Sequence, residues 1–343
     1  MKNLLRTSAL CTSALCTSAL CTSALCTSAL CAITLFSASA AQAQAWPTQP
    51  VKFIVSQSAG GSIDIAARLI GQKLSDALGR QVVIDNRAGA NGMIAGEAAA
   101  RAQPDGYTFL MTSPSTLTIN QHVYKKVPYE TQRDFVPVTQ TTSIVFILTV
   151  NAQSPYRTVA ELVTAAKAKP EAIRYASAGI GNQSHLAGEV FAAAVGAQML
   201  HVAYKGETPA ITDLLGGQVD MIFGTAPALL GHVKSGKLRA LAVGQPRRAG
   251  AAPDVPSIAE AGYPSVAVTG WTGIVAPTGT PAAIIKRLHD EVGKVLAMPD
   301  VRETLAKAGA EPVGSTPEQF AEFIRSETLK WGAAVKRAGI VPE

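Results

Sequence analysis

Residues 51–62 read Val-Lys-Phe-Ile-Val-Ser-Gln-Ser-Ala-Gly-Gly-Ser, an apolar run that ends in a glycine-rich turn. Apolar residues after this turn recur at helical spacing, at Ile65, Leu69, Ile70, Leu74 and Leu78. Gly79 follows them and is a typical helix exit. The stretch therefore predicts a strand, a tight turn and a helix, which together make the first unit of an α/β fold.

The same alternation continues along the chain. Further strands are predicted at residues 82–84, 107–112, 173–176, 200–204, 221–223 and 238–243. Helices are predicted near residues 93–102 and at 159–168, 182–195, 209–215, 226–234, 282–297 and 317–338. Alternation of this kind favours a parallel sheet with helices on both faces.

Two extended, β-branched passages, residues 136–150 and 266–277, interrupt the alternation. They are candidate crossovers between two domains, an organisation that the chain length also favours. We expect a first domain of residues 46–145 plus 270–343 and a second of residues 146–269. The predicted fold class is α/β, with a parallel or mixed sheet flanked by helices in each domain. Crossovers made of two paired strands can bend without unfolding either domain.

Residues 1–45 have the order of a secretory signal peptide. Lys2 and Arg6 precede an uncharged stretch, and small residues follow with A-x-A sites at 41–43 and 43–45. We expect cleavage near residues 43–45 and export to the periplasm. Each of the five Thr-Ser-Ala-Leu-Cys repeats contains both Thr and Ser, so the stretch is less apolar than a membrane anchor needs to be. Each Cys follows Leu, whereas a lipoprotein signal needs a small residue directly before the cysteine that is modified.

Composition narrows the classes of function. All five cysteines lie in the leader, so the mature chain has no disulfide, thiolate nucleophile or cysteine metal site. The leader also holds two basic and no acidic residues, so its removal lowers the formal charge from +6 to +4. This mild charge suits an anionic ligand. The basic residues are scattered, so we expect no nucleic-acid partner.

Two glycine-rich turns are the candidate binding elements: turn 1 (residues 58–62), before the helix with Asp64, and turn 2 (residues 177–182), before the helix with His185. A helix N-terminus offers unpaired N–H groups to an anion, and ligands of open α/β sheets collect at the carboxyl ends of strands. Two such turns facing each other would grip a carboxylate. The alternative is that both are ordinary turns and that Asp64 only caps its own helix.

Motifs of enzymes and metal sites are incomplete. Residues 179–184 resemble G-x-G-x-x-G but end in Ser, and residues 231–237 match G-x-x-x-x-G-K without the following Ser or Thr. Neither G-x-S-x-G nor H-E-x-x-H occurs, and the five histidines are dispersed. We predict no catalytic residue, no metal and no cofactor. Trp271 lies in the second crossover and has two open interpretations, a buried packing role in the hinge or a wall of the cleft.

The mature chain closely resembles the Bug family, the extracytoplasmic receptors of tripartite tricarboxylate transporters. The passages that carry the resemblance are residues 82–92, 104–108, 173–185, 201–206, 213–220 and 236–242. The resemblance implies a periplasmic two-domain Venus-flytrap, a type II periplasmic binding protein. It also implies a small carboxylate ligand, membrane transporter subunits as partners and no cofactor. We expect a monomer.

The resemblance also implies a set of ligand-binding residues. Turn 1 and turn 2 would supply Ser58, Ala59, Gly60, Gly61 and Asp64, and Ala178, Gly179, Gly181 and His185. Neighbouring loops would supply Ser113, Ser115, Tyr204 and Thr225. One departure concerns turn 1, where Ser56-Gln57-Ser58-Ala59 replaces the usual Pro-aromatic pair and second Pro, and it changes the polarity near the ligand.

The function expected from the sequence is solute capture between two domains and delivery to a tripartite tricarboxylate transporter. Two alternatives stay open at this point. One is a secreted α/β enzyme that acts on a carboxylate or ester, and the other is a ligand-sensing partner of a two-component kinase.

Overall fold

The first strand and helix form where the sequence predicts them. The computed structural model describes residues 46–337 and 340–342, and in it β1 is Val51–Val55 and α1 is Ser62–Leu78. In β1 only Lys52 is exposed, so the strand is buried on both faces. Gly79 ends α1 with φ 63°, a left-handed conformation that glycine adopts without strain. The predicted leader, residues 1–45, lies outside the described residues.

The other elements follow in the predicted order. The strands are β2 (Val82–Asn86), β3 (Thr108–Thr112), β4 (Phe135–Asn151), β5 (Arg174–Ser177), β6 (Leu200–Ala203), β7 (Met221–Thr225), β8 (Leu238–Val243), β9 (Thr269–Pro277) and β10 (Ala310–Pro312). The helices are α2 (Met93–Ala100), α3 (Asn120–Val123), α4 (Thr131–Asp134), α5 (Val159–Ala168), α6 (Gln183–Val195), α7 (Glu207–Leu215), α8 (Ala226–Lys234), α9 (Ala282–Ala297), α10 (Pro299–Lys307) and α11 (Pro317–Arg337). Short 3₁₀ turns cover Ala90–Gly92 and Pro264–Val266, and Ser115–Ile119 is π-helical.

All ten strands belong to one mixed sheet, in the order β2-β1-β3-β9-β4-β7-β5-β6, with β8 and β10 also paired to β4. β1 is parallel to β2 and β3, and β5 is parallel to β6 and β7. β9 and β4 run antiparallel to their neighbours between these two parallel groups. The α/β fold class is confirmed.

β4 is a single strand of 17 residues that runs through the sheet between the two parallel groups. Its first part pairs with β9 as far as Val145, which lies opposite Thr269. Its second part pairs with β7 from Phe146, which lies opposite Thr225, and with β8. The pairing partner thus changes where the sequence suggested a crossover; the division into two domains stays a prediction.

Both faces of the central strands are buried, which explains their continuous apolar sequences. Leu148 and Phe223 pack into a core with α6, while their neighbours Ile147 and Ile222 pack into a second core with α7 and α8 on the opposite face. A third core forms around β1, β3 and β9, where Trp271 packs on Phe320 of α11. None of the helices within the described range combines the length and apolar run that a membrane crossing requires.

Candidate functional site

The carboxyl ends of the two parallel groups surround one cavity. β1, β2 and β3 lead into the loops at residues 56–61, 87–92 and 113–116, and β5, β6 and β7 lead into those at 178–182, 204–206 and 225. All six regions contribute to the wall of this cavity or of a smaller one beside it. Loops at strand ends are where ligands of α/β proteins collect.

The main cavity has a volume of about 230 Å³. Its wall consists of Ser56, Gln57, Ile63, Ala88, Gly89, Ala90, Asn91, Gly92, Ser113, Ser115, Thr116, Tyr124, Ala178, Gly179, Ile180, Asn182, Ala203, Tyr204, Lys205 and Gly206. Among these residues Lys205 is the one charged side chain, and there is no carboxylate. The remaining polar groups are hydroxyls, amides and backbone. A wall with one cation and no anion favours a negatively charged ligand.

Six of the predicted ligand-binding residues line a cavity. Ser113, Ser115, Ala178, Gly179 and Tyr204 line the main cavity. Thr225 lines the smaller one, about 30 Å³ in volume, which shares Ser113, Ser115 and Ala178 with it. These residues come from both parallel groups, so the structure brings the two halves of the predicted site together.

Turn 1 lies beside the main cavity. Its predicted ligand residues, Ser58, Ala59, Gly60, Gly61 and Asp64, are not in the wall of either cavity. The Asp64 carboxylate accepts from the Gly60 N–H at 2.9 Å and from Arg68 Nε at 3.0 Å. Burial alone would raise the pKa of Asp64, but these hydrogen bonds together lower it below its usual range. Asp64 therefore holds turn 1 in shape as an anion, which is the capping alternative.

The N–H groups at the start of α1 are bonded to the protein's own side chains. Gln57 Oε1 accepts from the Ile63 N–H at 3.0 Å. Gln57 is in turn bonded through Nε2 to the carboxylate of Glu207, which comes from the start of α7. An amide oxygen of the protein thus takes one of the N–H groups at this end of α1, where we expected a ligand carboxylate.

Glu207 links several elements beneath the cavity. Its carboxylate accepts from the Thr225 N–H at 2.6 Å, from the Thr225 hydroxyl at 2.9 Å and from Gln57 Nε2 at 3.3 Å. The side chain is 3 % exposed, and burial raises its pKa although these donors oppose the shift. This carboxylate thus joins the start of α7 to the N-terminus of α8 and, through Gln57, to that of α1, a connection that sequence patterns do not reveal.

Turn 2 is held by the residues that follow it. The Gly181 N–H donates to His185 Nδ1 at 3.0 Å, so the proton of the neutral imidazole lies on Nε2. Gly181 has φ 68°, and a Cβ there would lie 2.2 Å from Val123 Cγ2. Glycine is therefore required both for the backbone conformation and for the close contact. Gly181 and His185 support the cavity wall from behind and do not line it.

Three stacked rings lie behind turn 2. The ring centroids of His201 and His185 are 3.9 Å apart, and those of His201 and Tyr175 are 4.9 Å apart. Tyr175 donates its hydroxyl hydrogen to Glu189. Burial of the ring lowers the pKa of His201 to about 4. His201 is therefore neutral in the folded protein at neutral pH.

The pKa of His201 predicts a loss of stability in mild acid. The unfolded chain binds a proton at this residue below about pH 6.5, whereas the folded chain binds one only near pH 4. The free energy of unfolding therefore falls as the pH decreases through this window. Urea unfolding at pH 7, 6 and 5 measures the slope. His201→Phe, which keeps a ring in the stack, is expected to flatten it; an unchanged slope in this variant would contradict the assignment.

Hydrogen bonds connect the two groups of loops across the cavity. The Tyr124 hydroxyl donates to the Ile180 carbonyl at 2.8 Å, and Asn182 Nδ2 donates to Asn91 Oδ1 at 3.0 Å. On another side, the Thr208 hydroxyl donates to the Ala59 carbonyl at 2.9 Å. These contacts keep the loops of both parallel groups close together, which encloses the cavity.

Sequence reasoning missed several wall residues. Residues 88–92 form a loop in which Ala90 and Asn91 have φ of 45° and 51°, and both residues line the cavity. Such conformations are rare outside glycine and recur at binding sites. The order of the elements could have indicated this loop. It follows β2, and because β2 is parallel to β1, the loops after the two strands lie at the same edge of the sheet.

Two further expectations concern metals and Trp271. Within the part of the chain that the structure describes, His, Cys, Asp and Glu do not gather in groups of three or more that could hold a metal ion. Trp271 is 2 % exposed, donates from Nε1 to Glu327 at 3.1 Å and also borders the smaller cavity. Both of its proposed roles, buried packing and cleft wall, therefore describe part of its environment.

The chain matches known proteins over most of its length. The family model of the tripartite tricarboxylate transporter family receptor matches residues 66–340. R. palustris Rpa4515, whose structure contains adipate, is 34 % identical with a TM-score of 0.85 and covers 87 % of this chain and 100 % of its own. The periplasmic binding protein BugD is 32 % identical with a TM-score of 0.83, over 87 % of this chain and 100 % of its own.

A third structure, MatC from Rhodopseudomonas palustris with bound malate, is 30 % identical with a TM-score of 0.80. It covers 84 % of this chain and 100 % of its own. The match to the family model and the likeness to BugD confirm the resemblance seen in the sequence: the chain belongs to the family of tripartite tricarboxylate transporter receptors, whose structural neighbours are periplasmic binding proteins.

Proposed function

We propose that this protein is an extracytoplasmic receptor that encloses a small dicarboxylate in the main cavity and delivers it to the membrane subunits of a tripartite tricarboxylate transporter. It acts as a monomer in the periplasm after removal of residues 1–45, and it performs no chemistry on its ligand. Ligand binding shifts the population of two lobes, joined by β4 and β9, from open to closed.

The charge of the cavity wall carries this proposal. Among the described residues that form the wall, Lys205 is the only charged side chain, and the other polar groups are hydroxyls, amides and backbone from loops at strand ends. The neighbours with adipate and malate support a dicarboxylate as the ligand class. Ser113, Ser115, Ala178, Gly179 and Tyr204 contact the ligand, Thr225 adjoins it, and turn 1, Gly181 and His185 hold the wall in place.

A thermal-shift and calorimetry panel tests the ligand class. Adipate, malate and other dicarboxylates are compared with adipamide, a neutral analogue of adipate. A dicarboxylate at 100 times its Kd is expected to stabilise the protein by about 2.7 kcal/mol, and adipamide is expected to have no effect. Recovery of the acid unchanged by mass spectrometry distinguishes capture from catalysis. Product formation would instead support the enzyme alternative, and equal binding of adipamide would contradict the charge argument.

Lys205 is expected to contribute to affinity and not to stability. The side chain is exposed at the cavity, so Lys205→Met removes the positive charge without opening the core. We expect the Kd for a bound dicarboxylate to rise roughly tenfold, at an unchanged melting temperature. Lys167→Met, on an exposed position of α5, is the matched control and is expected to bind as the wild type. Equal affinity in both variants would exclude Lys205 from the site.

A further inference from the structure

Turn 1 and the start of α7 are in direct contact beside the main cavity. The Thr208 hydroxyl, in the first turn of α7, donates to the Ala59 carbonyl at 2.9 Å and accepts from the Ser58 hydroxyl at 3.3 Å. Gly206, just before the helix, packs on the same turn, since a Cβ there would lie 2.7 Å from Ser58 Oγ. Because Gly206 lines the cavity, this contact sets the spacing between turn 1 and that part of the wall.

The two sides of this contact belong to different parallel groups of strands. Turn 1 follows β1, whereas Thr208 comes after β6. In the predicted division of the chain, turn 1 lies in the first domain and α7 in the second. Within the described part of the chain, both hydrogen bonds of the Thr208 side chain go to turn 1. The hydroxyl therefore joins one group of loops to the other.

Thr208 differs in this respect from two other polar residues of α7. Glu207 also contacts the first group, through Gln57, but it is buried and bonded to Thr225 of its own group, so its loss affects the fold. Thr212 is exposed like Thr208, but its hydroxyl donates to the Thr208 carbonyl at 3.1 Å, inside the helix. A change at the Thr208 hydroxyl therefore alters the contact between the groups without breaking a buried bond.

We propose that Thr208 is a positioning residue that stabilises the closed form of the receptor around its ligand. The proposal rests on the function proposed above, in which the two lobes move apart when the ligand leaves. The bonds from Thr208 to turn 1 exist only while the lobes are together, so they stabilise the closed form and not the open one. Thr208 lies outside the walls of both cavities and acts on the ligand only through closure. The hydroxyl therefore slows the release of the ligand.

Thr208→Val and Thr212→Val form a matched pair of tests, with adipate and malate as the probes. Thr208→Val keeps the shape of the side chain without its hydroxyl, and we expect the dissociation rate constant, measured by surface plasmon resonance, to rise about fivefold. The association rate constant and the melting temperature of the ligand-free protein are expected to stay as in the wild type, because the open form lacks this contact. Thr212→Val is expected to change none of the three quantities. Thr208→Ser, which retains a hydroxyl, is expected to release the acid at nearly the wild-type rate.

The outcomes separate this inference from the proposed function. If the wild type binds a dicarboxylate and Thr208→Val releases it at the wild-type rate, the role of Thr208 is overturned and the proposed function is not. An equal rise of the dissociation rate in Thr212→Val, or a slower association in Thr208→Val, would place the effect in α7 itself and would also overturn the role of Thr208. If the wild type binds neither acid nor any other dicarboxylate, the proposed function fails and this inference fails with it.

Discussion

Glu207→Ala is expected to lower the free energy of unfolding by about 3 kcal/mol. The Glu207 carboxylate is buried and accepts hydrogen bonds from the Thr225 N–H, the Thr225 hydroxyl and Gln57. Truncation leaves these three donors without an acceptor in a buried place. Urea unfolding at pH 7, followed by circular dichroism, measures the loss.

Two further variants define the cause of this effect. Glu207→Gln keeps the volume of the side chain, so a comparable loss in it assigns the effect to the missing carboxylate oxygen and not to a void. Glu303→Ala removes a carboxylate that is paired with Lys307 on the surface of α10, and it is expected to leave the unfolding midpoint unchanged. A loss of less than about 0.5 kcal/mol in Glu207→Ala would mean that the donors find other acceptors.

Gly188→Ala is expected to destabilise the protein by about 2 kcal/mol, although alanine is the better helix former. Gly188 lies in α6, and a Cβ there would be 2.4 Å from Cε2 of Tyr175. The Tyr175 ring is fully buried and stacks on His201, so it cannot move aside without disturbing the rings behind turn 2. We therefore expect lower ligand affinity as well as a lower melting temperature.

The matched control is the same substitution in a helix with free space. A Cβ at Gly293 of α9 would meet no neighbouring group within 4 Å, so Gly293→Ala is expected to stabilise the protein by about 0.5–1 kcal/mol. If Gly188→Ala lowers the free energy of unfolding and Gly293→Ala raises it, the loss at Gly188 is due to the contact with Tyr175. A gain in stability at both positions would mean that α6 shifts freely.

The sequence predicted the fold well where periodicity and turn residues agree. The helix predicted between turn 1 and Gly79 covers Ser62–Leu78, because the glycine turn precedes it and Gly79 ends it. Helix α6 begins at Gln183, one residue later than predicted, because Asn182 caps it and accepts from the Ser184 N–H. Helix α7 begins at Glu207, two residues earlier than predicted, because the Pro209 ring is tolerated in the first turn. The predicted end at residue 338 lies outside the described residues.

Short elements and long-range contacts escaped prediction. α10 has a weak apolar pattern, and the three residues of β10 form a strand only because β4 lies beside them. At the site, Ser113, Ala178 and Tyr204 were expected from the family resemblance, and the rule that loops gather at strand ends agrees with their place in the wall. The link from Glu207 to Gln57 joins residues 150 positions apart, and nothing in either local sequence indicates that they meet. Side-chain contacts of this kind depend on the folded geometry.

The cavity wall is divided among loops that each end a different strand, and this division has a consequence for how such receptors diversify. The backbone ladder that fixes the sheet runs through the strands, not through the loops. A single replacement in one loop can therefore alter the chemistry of the cavity wall while the sheet stays intact.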